Sequence, residues 1–139
     1  MILQTHPRLI PEIRTDGCYF MCLLWYANKY EGCLLSPDVI NELFGHFVHI
    51  HWLQADCTVL NPQEILRHLG VNCRYTDRHE PAIRACWPNE FEILRWEYDG
   101  KSHFTAGEGR GRVTYDPMGC SKTVRLGRLA DKRIFVLGG

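Results

Sequence analysis

From Cys18 to Ala27 the chain reads Cys-Tyr-Phe-Met-Cys-Leu-Leu-Trp-Tyr-Ala, a run without a single charged side chain. A helix that is apolar on every face offers solvent no side, so the rest of the domain must enclose it. A buried strand can also give an apolar run. The length of this one, and its exit through Asn28, Lys29 and Gly32, predict a helix instead. The chain has 139 residues, enough for one core and too few for two ordinary domains. A single domain over residues 1–139, built around this buried segment, is the expectation.

Two further helices announce themselves by their start signals. Ser36-Pro37-Asp38 supplies an N-cap, a first-turn proline and a first-turn acid, and Val39, Ile40, Leu43, Phe44 and Phe47 follow at helical spacing to about residue 50. Asn61-Pro62-Gln63-Glu64 repeats that chemistry ahead of Ile65, Leu66 and Leu69, and Gly70 stops the helix. Beyond it the pattern changes to short runs: Val71 to Tyr75, Phe91 to Tyr98, His103 to Ala106, Val113 to Tyr115 and Ile134 to Leu137. Asp99-Gly100 and the stretch from Gly107 to Gly111 read as hairpin connections. The expected fold class is α+β, with a helical first half packed on an antiparallel sheet.

Composition removes several function classes. Sixteen basic residues balance sixteen acidic ones, and no stretch concentrates one sign, so no nucleic-acid partner is expected. The opening Met1-Ile2-Leu3 gives way to Gln4, Thr5, His6 and Pro7, which lacks the apolar centre of a signal peptide, and no run approaches membrane-spanning length. A cytoplasmic protein without a membrane partner is the reading. Seven cysteines, an odd number, then read as reduced thiols packed mostly as small hydrophobes. His46, His49, His51, Cys57, His68 and Cys73 cluster in one third of the chain, but neither a Cys-x-x-Cys nor a His-Glu-x-x-His pattern is present. Neither a metal nor any other cofactor is expected.

One thiol stands apart by position. Asp16-Gly17 is a turn pair, so Cys18 falls at the first turn of the buried helix, where unpaired backbone N–H groups favour an anionic sulfur. His103 follows far downstream, and Asp116 comes thirteen positions later within Tyr115-Asp116-Pro117, a spacing that suits neighbouring strands of a hairpin. Each has a plainer explanation: a core thiol, a hydrogen-bonded strand histidine, and turn chemistry before proline. Their joint order is what raises them. Cys22, one turn after Cys18, reads as core filler, with a resolving thiol or a metal partner as alternatives.

Asp16-Gly17-Cys18 opening a buried helix, Ser102-His103-Phe104-Thr105 and Val113-Thr114-Tyr115-Asp116-Pro117 together resemble the papain-like cysteine peptidase superfamily, in particular the compact peptidase C39-like domains of bacteria and phages. The resemblance implies a papain-like fold and a cysteine-dependent hydrolase of peptide or amide bonds. In it Cys18 is the nucleophile, His103 the base and then acid, and Asp116 the group that orients His103. It also implies a peptide or protein as substrate or partner, and an acyl-thioester that water or an amine can resolve, so transfer and deamidation share the same chemistry. The Cys18 N–H would donate to the oxyanion. Many papain-like enzymes place a glutamine several residues before the nucleophile as second donor, whereas here the residues are Pro11-Glu12-Ile13-Arg14-Thr15. Gln4 folding back, Thr15 or the Asp16 region are the substitutes, and Trp87 and Trp96 are candidate cleft walls. The alternative is a papain-fold protein that no longer cuts and instead binds a partner protein, as accessory proteins of mobile elements do.

Overall fold

The computed structural model describes residues 1–76, 81 and 83–138. In chain order the elements are α1 (Pro11–Asp16), α2 (Cys18–Glu31), α3 (Pro37–His49), α4 (Pro62–His68), β1 (Cys73–Tyr75), β2 (Glu90–Tyr98), β3 (Lys101–Gly107), β4 (Val113–Tyr115), α5 (Lys122–Leu126) and β5 (Arg128–Leu137). Among the described residues the fold is α+β: five helices packed on a five-stranded antiparallel sheet of order β1-β5-β2-β3-β4.

Helix α2 occupies the centre. Phe20, Met21, Cys22, Leu23, Leu24, Tyr26 and Ala27 are buried along it, and Gly32 ends it in the left-handed region at φ 66°. Its aromatic residues seat it on the sheet. The Tyr26 hydroxyl reaches the backbone carbonyls of Glu92 (2.5 Å) on β2 and Gly107 (2.9 Å) on β3. Trp25 stacks on Tyr115 of β4 with centroids 5.9 Å apart. Buried hydroxyls and rings that find such partners fix one orientation of a helix whose apolar surface alone would tolerate several. Helices α3 and α4 start as their caps dictate: Ser36 Oγ accepts from the Val39 N–H (3.2 Å) and Asn61 Oδ1 from the Glu64 N–H (3.3 Å).

Four elements depart from the sequence reading. The residues before Cys18 form a helix, α1, with Pro11 in its first turn, where the sequence reading has only the Asp16-Gly17 turn pair. A short helix, α5, follows β4; Ser121 Oγ caps it at the Val124 N–H (3.3 Å), and no residue of it is buried, so it carried no apolar signal. Strand β5 begins at Arg128, six residues ahead of the expected start at Ile134. Its early half is polar because each charge has a cross-strand partner. Asp131 lies opposite Arg95 and accepts from it (Nε 2.9 Å, Nη2 2.6 Å), while Lys132, 1 % exposed, donates to Glu92 Oε1 (2.9 Å) and to the Arg84 carbonyl (2.8 Å). At the other end, β1 shortens to Cys73–Tyr75 because the Val71 N–H closes α4 by donating to the Leu66 carbonyl (2.9 Å). The two-residue hairpin Asp99-Gly100 joins β2 to β3 with φ 50° and 73°, the pair of positive values a tight turn of this kind requires.

Candidate active site

The junction between α1 and α2 sets the position of Cys18. The Gly17 N–H closes α1 on the Ile13 carbonyl (2.9 Å) while the Gly17 carbonyl accepts from Met21 as the first bond of α2 (2.8 Å). One residue thus serves both helices. A Cβ on Gly17 would lie 2.5 Å from the Ile13 carbonyl oxygen and 2.8 Å from its Cα, so only glycine lets the helices abut this closely. Cys18 is left as the first residue of α2, half-buried, at the wall of a cleft.

His103 projects from β3 and Asp116 follows directly on β4, the next strand of the sheet. Imidazole Nε2 and Asp116 Oδ1 are 2.7 Å apart, with the two side chains 9 % and 7 % exposed. The carboxylate is itself clamped. Oδ1 also accepts from the Met118 N–H (2.9 Å) and Oδ2 from the Ser121 N–H (3.0 Å), which leaves it one way to face the ring. Because Nε2 is engaged by a carboxylate, it carries the hydrogen, and Nδ1 is the nitrogen left for Cys18. Burial alone lowers the pKa of His103. The hydrogen bonds to Asp116 and to Cys18, with the negative charges behind them, outweigh burial and raise it to about 9. Asp116 moves the opposite way: burial raises its pKa, but the bonds from His103 and from the Ser121 and Met118 N–H groups bring it down to about 2. At neutral pH the pair is an imidazolium held by a carboxylate.

Gln4 lies fourteen positions before Cys18 yet lines the same hollow as Cys18 and His103. Two tethers bring it there. The Tyr115 hydroxyl donates to the Ile2 carbonyl (2.8 Å), and the Gln4 N–H donates to the Pro117 carbonyl (2.8 Å), so the N-terminal segment is tied to the end of β4 beside Asp116. The Gln4 side chain is buried at 2 % exposure; Nε2 donates to the Arg14 carbonyl (3.1 Å), and Oε1 has no protein partner. A carbonyl acceptor fixes which end is nitrogen, and the amide keeps one further N–H to give. Thr15 and Asp16 line the hollow as well, both exposed.

The tryptophans do not form the cleft. Trp87 is 64 % exposed and borders a separate depression with Arg74, Asn89 and Val136. Trp96 pairs in register with His103, but its Nε1 is spent on Thr105 Oγ1 (3.0 Å) and it lines neither hollow beside Cys18. The walls are instead polar residues that periodicity does not single out: Lys101, Lys122 and Arg125 on one side, Asp56 and Arg133 on the other. Cys22 is fully buried, and burial, with the negative charges of Cys18 and Asp116, pushes its thiol well up, as fits a packed core residue. His46 and His68 face each other at 5.1 Å in an aromatic cluster with Phe47 and Trp52. Among the described residues no group of three or more metal-ligating side chains is placed to hold an ion, and no helix is long and apolar enough to cross a membrane.

Fold and site together define an α+β domain whose helix-start thiol meets an imidazole–carboxylate pair carried on adjacent strands. The chain belongs to the DUF261 family, described as a protein of unknown function, whose family model matches residues 1–137. No curated protein matches the chain. No solved structure matches it either.

Proposed function

We propose that this protein is a papain-like cysteine hydrolase acting on peptide or amide bonds. The observation that carries the reading is the His103 ring, held at Nε2 by a backbone-clamped Asp116 and lining the same hollow as Cys18, which helps to raise its pKa. A thiol with only a packing role has no need of an oriented imidazole, and an imidazole with only a structural role has no need of a thiol on its free nitrogen. The polar Gln4 side chain in the same hollow favours chemistry over simple partner binding.

The steps follow from the placement. In the resting site Nδ1 of His103 already holds the proton given up by Cys18, and the thiolate sulfur attacks the substrate carbonyl carbon, moving the carbonyl electrons onto oxygen. That oxygen is met by the Cys18 backbone N–H and by the second N–H of Gln4 Nε2. On collapse the carbon–nitrogen bond breaks, His103 gives its proton to the departing amine, and an acyl-thioester remains on Cys18. Water, deprotonated by His103, then attacks the thioester; the carboxylic acid leaves and the thiol is restored. Throughout, Asp116 keeps the ring in one orientation and stabilises its charged form.

The test is the pH-dependent rate of iodoacetamide alkylation, with mass spectrometry to assign the reacting thiol among the seven cysteines. Cys18 is expected to react fastest near or below neutral pH, and to slow on His103→Ala. A Cys18 that reacts no faster than the other six overturns the hydrolase reading. Once a substrate is in hand, Gln4→Ala is expected to lower the rate by about 10²–10³.

A further inference from the structure

The cleft on either side of Cys18 carries opposite charge, and on the hydrolase reading above this polarity assigns a substrate class. Two hollows meet at Cys18, sharing Asp16 and Phe104. The first, of ≈ 440 Å³, has Asp16 and Asp56 on its walls, and a shallow depression that includes Glu12 extends the same acidic rim outward. Its cation, Arg133, is already engaged: the guanidinium pairs with Asp131 and lies 4.9 Å over the Phe104 ring. Asp56 accepts from the Thr58 N–H (3.0 Å), which holds its carboxyl below the usual carboxylate range and keeps it charged. Cys57, on the same wall, registers the convergence. Burial and then the negative charges of Cys18, Asp16, Asp56 and Glu12 push its thiol up to about 12.

The second hollow, of ≈ 730 Å³, is basic. Lys101, Lys122 and Arg125 are all exposed on its rim, and among the described residues none of them is in an ion pair. Asp16 is the one carboxylate on its wall. Gln4 adds an independent sign that this side receives a polar chain, because its buried Oε1 lacks a donor that a peptide N–H would supply.

Which half of a substrate lies where follows from His103. It lines the second hollow and not the first, and it must hand its proton to the departing nitrogen. The leaving half therefore occupies the basic hollow and the acyl half the acidic one. We infer that the substrate is a peptide with Lys or Arg one or two residues before the scissile bond and Asp or Glu shortly after it.

The test uses two probe sets on the full chain at low salt. Peptidyl acyloxymethyl ketones ending in Arg-Ala, Ala-Ala or Glu-Ala read the acyl side through the rate of Cys18 labelling. Quenched peptides with Glu, Ala or Lys after the bond read the leaving side through kcat/KM. Each set is expected to span roughly tenfold in the stated order, since several exposed charges act together where one would give only a few-fold. The spread is expected to collapse in 1 M NaCl. Asp56→Lys is expected to erase the acyl-side preference alone, and Arg125→Glu the leaving-side preference alone; both residues are exposed, so folding is not at stake. Fast iodoacetamide labelling of Cys18 combined with equal rates across both probe sets overturns the charge assignment and leaves the hydrolase reading standing. A Cys18 unreactive to iodoacetamide and ketones alike removes both.

Discussion

Asp116→Asn isolates the interaction on which the site depends, because it keeps the shape of the side chain and deletes its charge. In the folded protein the pKa of Asp116 falls from an ordinary 3.8 to about 2, a gap of 1.8, and that of His103 rises from 6.5 to about 9, a gap of 2.5. Both shifts share the His103–Asp116 contact, to which Cys18 adds on one side and the Ser121 and Met118 N–H groups on the other, so the contact is counted once and from the smaller gap. At about 1.4 kcal/mol per pH unit, the contact contributes about 2–3 kcal/mol. Both side chains are more than nine-tenths buried, so solvent screening takes little of it.

The pH window follows from the two directions. His103 has a raised pKa in the folded state, so its contribution is complete below 6.5 and disappears as pH climbs through about 9. Asp116 has a lowered one, so its contribution is complete above 3.8 and disappears as pH falls through about 2. Urea denaturation of wild type and Asp116→Asn is therefore expected to show the full gap of about 2–3 kcal/mol between pH 4 and 6.5, narrowing towards both extremes. Proton NMR of the seven histidines supplies the microscopic check, His103 being assigned by its absence in His103→Ala. Its titration is expected near 9 in wild type and to drop by roughly two pH units in Asp116→Asn, where burial acts against a weaker partner. A wild-type His103 that titrates at or below 6.5, or a stability gap independent of pH, refutes the reasoning.

Gly17→Ala drives a methyl group into the backbone of Ile13, so a loss of about 1–3 kcal/mol is expected in urea denaturation, with slower alkylation of a displaced Cys18. Lys132→Met leaves the Glu92 carboxylate buried without its cation and is expected to cost about 3–5 kcal/mol, whereas Lys132→Met with Glu92→Gln recovers a substantial part; thermal melts compare the two. Cys18→Ala is expected to change stability by less than about 1 kcal/mol while abolishing hydrolysis, because the thiol is small and half-buried. Equal loss of both properties would make Cys18 a packing residue.

The fold class was legible because its determinants are local. The apolar run from Cys18, the Ser36 and Asn61 caps, and the Asp99-Gly100 turn each act within a few residues, and the structure puts α2, α3, α4 and the β2–β3 hairpin close to where they point. What escaped depends on distant partners. Lys132 and Asp131 read as loop residues until Glu92 and Arg95 stand beside them on β2. Gln4 could be named from its type but not placed, since its position depends on Tyr115 and Pro117, more than a hundred residues away. The tryptophans misled for a related reason: size suggests a cleft wall, yet the space beside Cys18 is bounded by charged residues on loops and helix ends. Polar walls leave no period in a sequence.

The same separation of local and distant causes explains how one thiol among seven can be singled out. Burial pushes Cys22 well up, Cys57 and Cys86 to about 12 and Cys73 to about 11, and Cys86 is further held by its bond to Glu92 (2.8 Å). At neutral pH these four stay protonated and poorly nucleophilic. Cys33 donates its hydrogen to the Leu69 carbonyl (3.5 Å), and Cys120 is exposed on the cleft rim. Of the seven, Cys18 is the one that helps to raise the pKa of His103, and their juxtaposition needs four separate features of the chain to coincide. Gly17 must let α1 and α2 abut; α2 must be apolar enough to sit at the centre; β3 and β4 must be neighbours; and the turn after Asp116 must present two N–H groups to its carboxylate. Packing alone requires the second and third of these. The first and fourth also set where the thiol and the imidazole stand, so each acts on the site and on stability at once.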